Sequence, residues 1–205
     1  MTRLGFLLAR TLRREAPLQA LSVPQAELLA SLAGKSVAIV GNARSLSDRR
    51  EGAAIDAADL VIRINRAPMP APESHGTRTD ILALATSLPP ADLARLSPGR
   101  ILWMSHKRKR LAYDVATTPG FHLHPLEDWR RLRATLGAPP TTGLMLIDLA
   151  ARSTAASIAL HGFDFFTSQS LSGRRRADQT PHDFPAERAF TEALMARDPR
   201  VTLQL

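Results

Sequence analysis

The chain has 205 residues, 44% of them hydrophobic, which is enough for one domain with its own core and excludes a disordered tail or a fibrous repeat. There is no cysteine, so disulfides, thiolate metal sites and a cysteine nucleophile are excluded as well. The formal net charge is +8, but only Lys35, Lys107 and Lys109 are lysines, so 24 of the 27 basic side chains are arginine. With the abundant alanine, this resembles the imprint of GC-rich codons, and the charge is read only as favouring anionic ligands. Aromatic residues make up 5% of the chain, too few for the stacking platforms of a nucleic-acid binder, and no nucleic-acid partner is expected.

Residues 1–34 read as a helical segment made of two helices. In the first, Leu4, Leu7, Leu8 and Leu12 recur at helical spacing while Arg3, Arg10, Arg13 and Arg14 lie largely on other faces. Short, amphipathic and basic, it suits peripheral contact with an anionic membrane; packing on the domain with its arginines solvated is the alternative. Its apolar run is far below the roughly 18 to 20 residues of a spanning helix. Ser22, Pro24 and Gln25 are start signals for the second helix.

From residue 35 to 205 strands alternate with helices. Short apolar runs at Ser36–Val40, Leu60–Ile64, Ile81–Leu84, Ile101–Met104, Ser157–Leu160 and Val201–Leu203 predict strands. Ala91–Leu96, His106–Ala112, Leu126–Leu136, Gly143–Arg152 and Ala186–Arg197 read as helices, and Met69–His75 and Thr167–Thr180 as loops. The pattern predicts a single α/β domain, a Rossmann-like, mainly parallel sheet flanked by helices. Such sheets bind ligands beyond the carboxyl ends of their strands, so residues just after strands are the candidates for function.

Four segments qualify. Val37 to Leu46 is a strand emptying into a turn with Gly41, Asn42 and Ser45, whose amides and side chains suit an anion, although neither a dinucleotide fingerprint nor a P-loop is present. Asn65 ends the next strand as Asn42 ends the first, so two amide side chains can converge on one crevice; a turn ahead of Pro68 is the plainer reading of Asn65. Arg63, inside that apolar strand, must reach an edge, an acid or an anion. Thr141, Thr142 and Gly143 open a helix after two prolines, where free amides and the positive dipole end seat a phosphate or carboxylate. His182 and Asp183 precede the last helix: the histidine suits proton transfer near neutral pH, while a His-Asp pair at a helix entry also reads as a cap. His122 and His124 share a strand face but lack an acidic partner at a telling spacing, so no metal site is expected.

In order and approximate spacing these segments resemble the sialyltransferases of glycosyltransferase family 29 over residues 36–187. Val37 to Leu46 with Ile55-Asp56, Val61 to Asn65, Ala67-Pro68 and Gly76 to Thr79 is similar to the large sialylmotif. Pro140 to Met145, with the strand ending in His161-Gly162-Phe163-Asp164, is similar to the small motif, and His182 with Glu187 to the very small motif H-x-x-x-x-E. The His-Tyr-Tyr stretch of the third motif is not visible, since 167–180 holds neither histidine nor tyrosine.

The resemblance implies a variant GT-A fold and transfer of an acidic sugar, sialic acid or Kdo-like, from a CMP-activated donor to a glycan or glycolipid hydroxyl. It implies inversion at the anomeric carbon without a metal or other cofactor. Asn42 and Asn65 would contact the phosphate and ribose of CMP, Thr141, Thr142 and Gly143 would line the nucleotide site with Gly41 and Ser45, and His182 would be the base. Asp56, Arg63, Arg78 and Glu187 would support the site, and Arg174, Arg175 or Arg176 would supply the phosphate contact of the missing motif. A compact bacterial, cytoplasmic enzyme, peripheral on the inner membrane face through its first helix, is the expectation. The alternative is an inactive nucleotide-binding or regulatory protein that retains the fold.

Overall fold

The computed structural model describes residues 1–168, 170–171 and 179–204; Arg174, Arg175 and Arg176 lie outside the described residues. The strands are β1 (Ser36–Val40), β2 (Leu60–Ile64), β3 (Ile81–Leu84), β4 (Arg100–Trp103), β5 (His122–Leu123), β6 (Ser157–His161) and β7 (Val201–Leu203). They form one sheet in the order β5-β4-β3-β2-β1-β6-β7, with every adjacent pair parallel. Chain order runs outward from β1 on one side and from β6 on the other, so the topological switch lies between β1 and β6.

The helices are α1 (Arg3–Thr11), α2 (Glu15–Gln19), α3 (Gln25–Ser31), α4 (Gly52–Ala57), α5 (Pro72–His75), α6 (Pro90–Leu96), α7 (Tyr113–Ala116), α8 (Leu126–Leu136), α9 (Thr142–Ala151) and α10 (Phe184–Arg197). Alternation along each strand divides its side chains between two layers. Val37, Ile39, Ile62, Ile64, Ile81, Ala83, Ile158 and Leu160 meet residues of α3, α8, α9 and α10 on one face. On the other face Leu82, Leu84, Ile101 and Trp103 meet Phe6 of α1, Leu18 of α2 and Val115 of α7, while Ala38, Val40 and Val61 pack with Leu46 and Ile55.

Several expectations are corrected. Residues 1–34 hold three helices, because Arg13 adopts φ +55° and turns the chain between α1 and α2. Ser22 caps no helix: its hydroxyl accepts from Leu123 N and donates to Val23 O, fastening the segment to β5. The stretch 69–75 is partly helical, with Ser74 and His75 buried. In place of a helix over His106–Ala112 there is a 3-10 turn, Arg108–Arg110. Arg108 is buried, donating to Ser105 O, His124 O and the carboxylate of Glu15, so this run is not uniformly solvated.

Candidate active site

The strand ends at the β1/β6 switch open into a cleft of about 530 Å³. Of the residues singled out from the sequence, it is lined by Gly41, Asn42, Asn65, Thr141, Thr142, Gly143, His182 and Glu187. Segments more than a hundred residues apart meet here because β1 and β6 pair directly, which brings 41–43 beside 162–164. That pairing is tight. A side chain at Gly41 would place its Cβ 2.3 Å from Gly162 O, so only glycine permits the approach.

The two asparagines work at the strand ends. Asn42 Nδ2 donates to Ile64 O at 3.2 Å, tying the exit of β1 to that of β2. Asn65 has φ +54°, a conformation asparagine tolerates, and its Oδ1 accepts from Ala85 N at 2.8 Å. Both side chains also line the cleft, at adjacent strand ends.

Thr141 is the N-cap of α9, its Oγ1 accepting from Leu144 N at 3.1 Å. The amides of Thr142 and Gly143 then have no acceptor within the helix, and they stand at its positive end on the cleft wall. At Gly143 a Cβ would sit 2.7 Å from Cε1 of Phe163, so the ring would have to move to admit one. Glu187, 4% exposed, accepts from both Thr141 N and Thr141 Oγ1 at 2.6 Å. Burial pushes its carboxyl up to about 7, despite the opposing hydrogen bonds from Thr141.

His182 stands at the rim. Its Nδ1 lies 2.8 Å from Pro139 O. A carbonyl only accepts, so this contact assigns the proton to Nδ1 and leaves the lone pair on Nε2. The neighbouring carboxylate does not orient it: Asp183 is spent as the N-cap of α10, accepting from Ala186 N at 2.9 Å.

Four residues lie outside the cleft. Ser45 donates to Asp164 Oδ2 at 3.0 Å, and Asp164 also accepts from Ser168 N and Oγ, so Ser45 shapes the loop beside the cleft. Asp56 accepts from the amides of Thr77 and Arg78 and from Thr77 Oγ1. Burial pushes its carboxyl up, but those bonds outweigh it and hold the group below its usual range. Arg78 returns the contact, donating to Asp56 O and Ala58 O. Arg63, 1% exposed, donates to the carbonyls of Arg78 at 2.6 Å and His75 at 2.7 Å and is attracted by the nearby carboxylate of Asp56. Burial lowers its pKa to about 10, and it is the polar core of the loop after α5.

The residue-by-residue reading missed an aromatic wall. Phe163, Phe165, Phe166 and Phe184 line the cleft, and Phe166 stacks on Phe184 with centroids 4.3 Å apart. The only signal in the chain was the cluster Phe163-Asp164-Phe165-Phe166 directly after a strand. His122 and His124 are buried, and burial lowers them to about 4 and about 3. Among the described residues no group of three metal-ligating side chains converges.

Residues 10–99 match the model of glycosyltransferase family 29 (sialyltransferase). That stretch contains Gly41, Asn42, Ser45, Asp56, Arg63, Asn65 and Arg78. A mammalian sialyltransferase in complex with Gal-beta-1-3GalNAc-ortho-nitrophenol superposes with a TM-score of 0.59 at 15% identity, over 88% of this chain and 78% of that one. Sialyltransferase CstII from Campylobacter jejuni, in complex with cytidine-5'-monophosphate, superposes with a TM-score of 0.57 at 16% identity, over 83% and 80%. A CST-II complex with a trisaccharide acceptor and CMP gives 0.52 at 16% identity, over 82% and 80%. No curated protein matches.

The fold is the one shared by these sialyltransferase structures. The family 29 model matches residues 10–99, under half of the chain, and within that stretch it agrees with the resemblance read from the motifs.

Proposed function

We propose that this protein transfers an acidic sugar from a CMP-activated donor to a glycan or glycolipid hydroxyl, with inversion, and that His182 is the base. The observation that carries the proposal is the tautomer of His182: with Nδ1 committed to Pro139 O, Nε2 is a proton acceptor at the rim of the cleft that holds the α9 N-terminus. In the step proposed, Nε2 takes the proton of the acceptor hydroxyl and the hydroxyl oxygen bonds the anomeric carbon. The bond from that carbon to the donor phosphate breaks, its electron pair leaving on CMP. Attack on the face opposite the phosphate inverts the centre.

The amides of Thr142 and Gly143 are the donors suited to the departing phosphate, since fixed dipoles facing developing charge need no reorganisation. Asn42 and Asn65 are assigned to the phosphate and ribose, as their place on the cleft wall allows. The reading uses no metal or cofactor. It is supported by the CMP and acceptor named in the complexes of the structural relatives.

The test is thermal unfolding with CMP, UMP, GMP and AMP, each with and without EDTA. A ligand at about 100 times its Kd adds roughly 2.7 kcal/mol. Stabilisation by CMP alone, unchanged by EDTA, is expected; stabilisation by none of the four at millimolar concentration would overturn the proposal.

A further inference from the structure

Every exposed large hydrophobic side chain among the described residues lies in α1 or at its ends: Met1, Leu4, Leu7, Leu8 and Leu12, from 37% exposed at Leu7 to 68% at Leu4. A helix on a water-facing surface turns its apolar stripe to the core and its polar face outward. α1 buries Phe6 and Ala9, yet its outward face is apolar too. The helix is firmly held. Phe6 packs edge-on against Tyr113 with centroids 5.4 Å apart, Arg10 Nη1 donates to Leu111 O at 2.8 Å, and Tyr113 Oη donates to Met1 O at 3.2 Å.

Cations rim this face. Arg3, Arg13 and Arg14 are exposed, as are Lys107, Lys109 and Arg110 in and beside the 3-10 turn that α1 packs against. Of the nearby acids, Glu15 is taken up by Arg108 at 2.6 Å, and Asp114 is exposed. The turn also adjoins the cleft, since Ser87 Oγ donates to Arg110 O at 2.8 Å and the preceding residue, Thr86, lines the cleft wall.

We infer that the outward face of α1 and the basic turn 107–110 form a docking surface for an anionic lipid bilayer. The leucines enter the acyl boundary and the six cations meet the headgroups. The like charges around the leucines oppose pairing with a second copy of the same face, and among the described residues no helix is long and apolar enough to cross the membrane. The inference rests on exposure and charge alone, independently of the chemistry proposed for the cleft. On the transferase reading, docking here brings the cleft to a lipid-borne acceptor.

The experiment is sedimentation of the full chain with vesicles of dioleoylphosphatidylcholine alone and of dioleoylphosphatidylcholine with dioleoylphosphatidylglycerol in equal parts. Binding to the anionic vesicles is expected. Leu4→Gln with Leu8→Gln should weaken it by at least about a hundredfold, from the apolar burial of two leucines. Lys107→Gln, Lys109→Gln and Arg110→Gln together should weaken it by about a hundredfold. All five side chains are exposed, so unfolding midpoints should not change, and CMP binding serves as a separate readout of the cleft. No binding to anionic vesicles, equal binding to both compositions, or a concentration-dependent dimer abolished by the leucine changes would each overturn the inference.

Discussion

Glu187 of α10 holds Thr141, the capping residue of α9, through both carboxylate oxygens at 2.6 Å. The helix that carries Phe184 beside His182 is thereby fastened to the helix whose first amides line the cleft. On the proposed reading, Glu187 acts through this cap, as a positioning residue.

Burial of this carboxyl makes stability depend on pH with a definite sign. The folded-state pKa of Glu187, about 7, lies above its ordinary value of 4.5 because of burial. Its contribution to stability is therefore fully present below pH 4.5 and is lost as pH rises toward 7, by up to about 3 kcal/mol. Urea midpoints of wild type and Glu187→Gln, measured across that range, should converge or cross as pH rises. A difference that stays constant would show that Glu187 titrates normally in the fold.

Replacing His182 with alanine should lower turnover by about 10²- to 10⁴-fold, the usual contribution of a positioned base. CMP affinity, read by calorimetry, should change little, because Nε2 is assigned to the acceptor hydroxyl. A variant with unaltered turnover would remove His182 from the reaction.

Gly41→Ala and Gly143→Ala should separate folding from binding. At Gly41 the new Cβ meets a backbone oxygen at 2.3 Å, and the β1/β6 pairing must give way, costing roughly 1–3 kcal/mol or more. At Gly143 it meets the Phe163 ring at 2.7 Å, a side chain that can swing into the cleft. The second variant should unfold near the wild-type midpoint while binding nucleotide more weakly. Equal losses of stability in both would count against the placement of Phe163.

Arg63→Met should destabilise by about 2–5 kcal/mol, since it strands the buried carbonyls of His75 and Arg78. Asp56→Asn should also weaken the fold, and here the sign is opposite to that of Glu187. A carboxyl held below its usual range stabilises above its ordinary pKa of 3.8, and that contribution is lost as pH falls through the lower folded value. Chemical denaturation at neutral pH and below about pH 4 checks both.

Local sequence was informative where one segment decides its own structure. β1, β2, β3 and β7 span the runs read as strands, and α8 spans the periodic stretch Leu126–Leu136, because apolar period and β-branched content act within a few residues. The same holds for the Thr141 cap and for Asn65, whose side chain and φ both suit a turn. The helix expected over His106–Ala112 gives way to a 3-10 turn, because nothing local reveals that Arg108 turns inward to a carboxylate 93 residues away.

By itself, then, the sequence determined an alternating α/β chain, the order of its motifs and the residues able to meet an anion. Tertiary structure alone decided which of them share a cleft. Pairing of β1 with β6 joins Gly41 and Asn42 to Phe163 and the α9 terminus, while Asp56, Arg63 and Arg78 close on one another beneath a loop. It also decided that His182 is oriented by a carbonyl rather than by its neighbour Asp183. The physical reason is that hydrogen bonds and burial depend on which groups arrive within about 3 Å, and strand order sets that for residues far apart in the chain.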